Sequence, residues 1–318
     1  MYPLLLKPPV KDYLWGGTRL KTEFGLESDT DIAAEGWMLS CHKDGSNTVV
    51  NGEFTGKSLP DVLAAWGNDA LGTRAAAFPY FPILIKLIDA KQKLSVQVHP
   101  SDEYALANEG EFGKTEMWYV VDCQEGAELL YGFSEDISKE EFKERMNNNT
   151  LTDVCNSVPV HKGDVFFIDA GTLHAIGEGI LIAEVQQNSN TTYRISDYGR
   201  LGADGKPREL HIDKALDVTK TEVPSMPYGQ IGTVTTKGAN TVRELASCHF
   251  FTAKVLELQE EYSIFETETF VSLVVLEGTA SLAFGKETLT VKKGESVFVP
   301  ANLAVTLNGT ASILMSSL

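Results

Sequence analysis

Cysteine is scarce in this 318-residue sequence, and its four copies, Cys41, Cys123, Cys155 and Cys248, stand isolated with no CxxC spacing. Reduced thiols in a cytoplasmic protein are therefore expected rather than a disulfide framework. Long apolar runs are missing as well. A membrane-spanning helix needs ~20 apolar residues, and the most apolar stretch, "FPYFPILIKLI" at 78–88, contains two prolines and a lysine. The opening "MYPLLLKPPVKDY" lacks the basic start and long apolar centre of a signal peptide. Positive charge is in deficit. With 27 Lys and Arg against 44 Asp and Glu, the net charge of −17 argues against nucleic acid or an anionic membrane as partners. A small anionic substrate stays admissible, because one site can be locally basic in an acidic protein.

What is present describes a soluble globular chain. Hydrophobic content of 43% and charged content of 22% suit a packed core, with length for one large domain or two ordinary ones. Most of the chain reads as short strands punctuated by Gly, Asn, Asp or Pro. The clearest are 116–122, 127–133, 163–171, 179–187, 270–278 and 295–301. Such spacing predicts a β-sandwich or barrel architecture. Helices are few and peripheral. Ser58 caps a helix over 58–67, and Ser138 with Glu141 forms a capping box for one over 138–149. A weaker helical pattern covers 208–218.

One internal repeat organises the rest. "KGDVFFIDAGTLH" at 162–174 lines up with "KGESVFVPANLAV" at 293–305, so the chain is expected to carry two related barrels. Where the first copy ends in His174, the second has Val305. Chemistry is expected in the first copy and a structural role in the second.

The stretch "LSVQVHPSD" at 94–102 places Ser95, Gln97 and His99 on one face of a strand. Glu116 opens the next strand, and His174 follows the glycine turn after "DVFFIDA". Two imidazoles, a carboxylate and an amide oxygen are a suitable set for a divalent transition metal, since barrel strands bring distant inward faces together. From spacing alone the bland alternative weighs as much: a solvated strand face and ordinary histidines. His42, His161, His211 and His249 are assigned to that ordinary class.

"LSVQVHPSDEYA", "GKTEMWYVVD" and "AGTLHAIGEGILIAEVQQNSNTTYRISDYGR" resemble the signature segments of type I mannose-6-phosphate isomerase, a family of zinc-dependent cupins. "WGGTRL", "EGWMLS" and "RELHIDKALDV" extend the resemblance through roughly the first two-thirds of the chain, in the short bacterial form. It implies an all-β-dominated cupin fold with a second, degenerate cupin-like barrel and a few peripheral helices. The expected division is a catalytic cupin domain over 1–236 and a metal-free cupin-like domain over 237–318.

Carried over by position, the resemblance implies one zinc ion per chain on Gln97, His99, Glu116 and His174. It also implies active-site roles for Arg194 of the "YR" motif, Lys114 and Glu184. The reaction implied is aldose–ketose exchange between mannose 6-phosphate and fructose 6-phosphate through an enediol. Glu184 is the expected base, with Lys114 and a zinc-bound water as competitors, and its ordinary alternative is a structural carboxylate paired with Arg194. Arg194, Lys114 and Ser95 are expected to meet substrate, the arginine fork being suited to phosphate oxygens. Asn190 stands where longer family members carry an acidic residue and receives no role. Trp15, Gly16 and Gly17 read as a tight turn, and Asp197 and Tyr198 either orient Arg194 or form a turn. The competing readings are an Fe(II) cupin oxygenase and a non-catalytic sugar-phosphate sensor. A monomer or weak homo-oligomer is expected.

Overall fold

The computed structural model describes residues 1–202 and 205–318. Two compact units emerge, one from Met1–Asp12, Thr18–Leu87 and Ile231–Leu318, the other from Tyr13–Gly17 and Ile88–Gln230. This grouping differs from a linear division at 236/237, because residues 18–87 cluster with the C-terminal segment. Nonlocal links tie them: Leu4–Lys7 pairs with Ser296–Val299 on one side and with Thr48–Val49 on the other, and the Ser296 hydroxyl donates to the Met38 carbonyl.

In the first unit an antiparallel sheet runs Thr233–Lys237, Asn240–Ser247, Thr252–Leu258, Val305–Ser317, Val271–Phe284, Ser296–Val299, Leu4–Lys7 and Thr48–Val49. Alternate residues of these strands, among them Leu256, Leu273, Val275, Leu307 and Ile313, close into one apolar cluster. Val305 is buried in it. The same unit holds a buried ion pair, Lys86 Nζ to Glu35 at 3.7 Å. The Trp37 indole donates to that carboxylate at 2.8 Å.

In the second unit a five-stranded sheet runs Cys155–Pro159, Glu128–Phe133, His174–Ala175, Val96–Val98 and Tyr193–Ser196. Three further strands, Val165–Ile168, Glu116–Cys123 and Ile180–Gln187, lie side by side in another sheet. On one face of the five-stranded sheet Val96, Val98, Ala175, Tyr193 and Ile195 pack with Phe142 and Met146. Those last two come from the helix Lys139–Asn148, and the Ser138 hydroxyl accepts the Glu141 N–H at its start. Burying that apolar face, at about 1.5–3 kcal/mol per large side chain, turns the alternate residues Gln97, His174 and Arg194 to the opposite face.

The repeat keeps its local geometry. Gly163 and Gly294 take positive φ of 89° and 86°, a region that glycine enters at little cost because it has no Cβ. The strands Val165–Ile168 and Ser296–Val299 follow, and new strands begin at His174 and at Val305. Helices form at Leu59–Trp66 and Ile212–Val218, near the expected places, and an unexpected one forms at Asp102–Asn108. All four cysteines are free. Among the described residues, no helix is long and apolar enough to cross a membrane.

Candidate metal centre

Register places the candidate side chains in the second unit. His174 stands opposite Gln97, and Arg194 stands opposite Gln97 on its other side. Residues directly across an antiparallel pair share a face, so His174, Gln97 and Arg194 form one row. In the other sheet Glu116 stands opposite Gln186, and Trp118 opposite Glu184. The two faces meet at the histidines: the Trp118 ring lies edge-on to His174 at 5.2 Å.

Backbone carbonyls settle both tautomers. His174 Nδ1 lies 2.8 Å from the Thr172 carbonyl, and His99 Nδ1 lies 3.0 Å from the Thr191 carbonyl. A carbonyl only accepts, so each Nδ1 carries the proton and each Nε2 presents a lone pair. Those two Nε2 atoms face each other at 3.2 Å. The Glu116 carboxylate closes the set, one oxygen 3.5 Å from His99 Nε2 and the other 3.5 Å from His174 Nε2. Two lone pairs and a carboxylate aimed at one point repel unless a cation lies between them. Ligand atoms held in a tetrahedron about 2.1 Å from a zinc ion stand about 3.4 Å apart, which is the spacing seen. His99, Glu116 and His174, all buried, thus form a potential metal site.

Gln97 completes the ring of polar groups. Its amide nitrogen lies 3.3 Å from His174 Nε2, and the Ser95 hydroxyl donates to its carbonyl oxygen at 3.2 Å. Amide oxygen and nitrogen are interchangeable by a flip, and the flipped form aims the oxygen at the same point. Lys114 is buried beside the cluster. Its ammonium contacts Glu116, lies 3.1 Å from His99 Nε2 and stands 3.7 Å from Glu184. Glu184 accepts the Trp118 indole N–H at 2.8 Å. A structural pairing of Glu184 with Arg194, the bland reading of that carboxylate, gives way to Trp118 and Lys114.

Arg194 is half-buried. Burial first, and then the charge of Arg208, lowers its pKa. Its Nη1 donates to the Glu209 carbonyl at 2.9 Å, while its buried Nε has no protein acceptor among the described residues. Asp197 binds Arg200 and Arg208. Tyr198 lies exposed at φ 55° under Arg200, so the turn accounts for both residues. Gly17 sits where a Cβ would come 2.2 Å from Asp89 Oδ2, which explains the glycine of the predicted turn. The other histidines stay apart: His42 lies edge-on to Trp37, His161 is beside Asp164, and His249 packs on Phe78. What the residue pattern did not reveal are the Thr172 and Thr191 carbonyls and the Trp118 indole. Of these only Trp118, two residues after Glu116, carries a sequence signal.

Burial drives the His174 pKa from 6.5 down to about 3; the Thr172 carbonyl opposes this and the Lys114 charge adds to it. In metal-stripped protein the unfolded chain takes up this proton near 6.5 and the folded chain only near 3, so stability falls as pH drops through that window. Denaturant titrations between pH 5.5 and 4.5 are expected to show a slope smaller by ~1.4 kcal/mol per pH unit in His174→Leu. An unchanged slope removes His174 from the linkage.

Antiparallel barrel strands around two imidazoles and a carboxylate define the class: a cupin with a candidate metal centre. Residues 4–129 match the model for the phosphomannose isomerase type I catalytic domain, and residues 241–318 match the mannose-6-phosphate isomerase cupin domain. A mannose-6-phosphate isomerase of Bacillus subtilis is 38% identical over 324 residues, covering 99% of each chain. One of Streptococcus mutans is 37% identical over 298 residues, covering 94% of this chain and 92% of the relative. The crystal structure of the mannose 6-phosphate isomerase from Bacillus subtilis superposes with a TM-score of 0.90 at 34% identity, covering 99% of each chain. The chain belongs to the type I phosphomannose isomerase family. The likeness runs beyond the first two-thirds of the chain to its full length, and it disfavours the oxygenase and sensor readings.

Proposed function

We propose that this chain interconverts mannose 6-phosphate and fructose 6-phosphate, with one zinc ion held by Gln97, His99, Glu116 and His174. The observation that supports this most strongly is the meeting of two imidazole lone pairs and a carboxylate at one buried point. When bound, the cation supplies Lewis-acid polarisation of a sugar oxygen. The remaining chemistry belongs to side chains. Glu184 takes the proton from C2 of the open-chain aldose and returns it to C1 of the enediol, while O1 and O2 exchange their protons. The Trp118 N–H holds one carboxylate oxygen and thereby fixes the carboxylate plane. Lys114, between Glu184 and the metal cluster, offsets negative charge developing on the sugar oxygens. Arg194 and Ser95, in line with Gln97 and on the same face, bind the anionic end of the substrate. Four free thiols suit a reducing cytoplasm.

The test combines elemental analysis with a dehydrogenase-coupled assay of mannose 6-phosphate turnover on one preparation. Zinc near one per chain with turnover that vanishes on chelation and returns with zinc is expected. Full turnover in metal-stripped protein overturns the metal role. Tight sugar-phosphate binding without turnover in zinc-loaded protein selects a sensor.

A further inference from the structure

We infer that His211 is a positioning residue for Arg194: its imidazole and its backbone together lock the arginine's backbone into the row that contains Gln97. The inference rests on the reading of Arg194 as a substrate contact and deepens it.

The strand Tyr193–Ser196 lies at the end of its five-stranded sheet, where among the described residues Val96–Val98 is its sheet neighbour. Its outer edge is therefore open to other partners. At Arg194 both main-chain groups on that edge are met by His211. The Arg194 N–H donates to His211 Nδ1 at 3.1 Å, and the His211 N–H donates to the Arg194 carbonyl at 2.7 Å. Since both main-chain groups of Arg194 turn outward to His211, its pairing with Gln97 is the non-hydrogen-bonded kind. In such pairs the side chains stand closest, with Cα atoms about 4.5 Å apart. The guanidinium is held from the same segment, through Nη1 to the Glu209 carbonyl at 2.9 Å.

The imidazole is specified for the task. Accepting a backbone N–H requires a bare Nδ1, so the ring proton resides on Nε2. The ring packs against Tyr193 at 6.1 Å, and the Tyr193 hydroxyl donates to Glu109 at 2.8 Å. His211 is also the residue from which the helix Ile212–Val218 starts, its carbonyl accepting the Ala215 N–H at 2.9 Å. The helix end and the strand edge thus meet at one side chain. Among the described residues the buried Arg194 Nε has no acceptor, so Glu209 and His211 supply the hydrogen bonds that hold this residue from the 209–211 segment. A histidine without an acceptor role in catalysis is accounted for: it holds the arginine, not the substrate.

The experiment is a double-mutant cycle on zinc-loaded full-length protein, read as kcat and KM for mannose 6-phosphate, with zinc content and melting temperature measured for each variant. Arg194→Ala is expected to lower kcat/KM by about 10²–10³-fold. His211→Ala is expected to lower it by about 10–100-fold, the range for residues that orient a functional group, with zinc retained. His211→Asn, whose side-chain oxygen accepts at the same δ position, is expected to restore most of the loss. Arg194→Ala with His211→Ala is expected to equal Arg194→Ala alone, because His211 acts only through the arginine. If His211→Ala melts too low to assay, His211→Phe keeps the ring packing without the acceptor and is expected to show the same loss without rescue. Losses that multiply in the double variant, or wild-type kinetics in His211→Ala or His211→Phe, overturn the positioning role while Arg194 keeps its own. An unimpaired Arg194→Ala sinks the reading of the arginine itself, and the role of His211 with it.

Discussion

Replacement of His174 by alanine is expected to abolish both zinc retention and isomerase turnover. The side chain is fully buried, and its Nε2 lies within 3.2–3.5 Å of His99 Nε2, Gln97 and Glu116. Removing it takes away one corner of the candidate ligand set and leaves a void beneath Trp118. The loss of Lewis-acid stabilisation is worth several kcal/mol, or about 10³-fold or more in rate. His99→Ala is expected to behave alike, because His99 presents the matching lone pair. Metal content after dialysis, far-UV circular dichroism and the coupled assay decide the matter. A folded His174→Ala protein that keeps stoichiometric zinc and normal turnover rules out this cluster as the metal centre.

Glu184→Gln separates metal binding from proton transfer. The amide keeps the shape and one oxygen to accept the Trp118 N–H, so the fold and the cluster should persist. It cannot carry a proton between C2 and C1. General-base removal typically lowers rate by about 10²–10⁴-fold, and that loss is expected in kcat with KM little changed and zinc at wild-type content. Exchange of the C2 hydrogen with solvent deuterium, followed by NMR, is expected to fall in step with turnover. If kcat survives, Lys114 or a metal-bound water takes the proton, and Glu184 becomes a structural acceptor for Trp118.

Much of the site was legible because its elements are local. Gln97 and His99 share a strand face through a two-residue period. Glu116 begins a strand whose hydrophobic run is plain, and the left-handed turn before His174 recurs before Val305 with Asn302 in the place of Gly171. Capping by Ser58 and Ser138 followed from short-range hydrogen bonding, and both helices formed within a residue or two of expectation. The helix Asp102–Asn108 is not legible in the sequence because its first turn follows a proline within a segment dominated by the strand signal. Asp197 and Tyr198 were ambiguous from spacing, and the partners Arg200 and Arg208 resolved them as a turn.

Residue order alone determined the strand-rich character, the paired repeat and the residue types that suit a divalent cation, since periodicity and side-chain chemistry act over a few positions. Tertiary structure decided which backbone carbonyls orient the two imidazoles, that Glu184 leans on Trp118 rather than Arg194, and that His211 closes the strand edge at Arg194. It also decided that residues 18–87 group with the C-terminal segment. These outcomes depend on pairings between positions far apart in the chain, where register and burial, rather than local preference, select the partner.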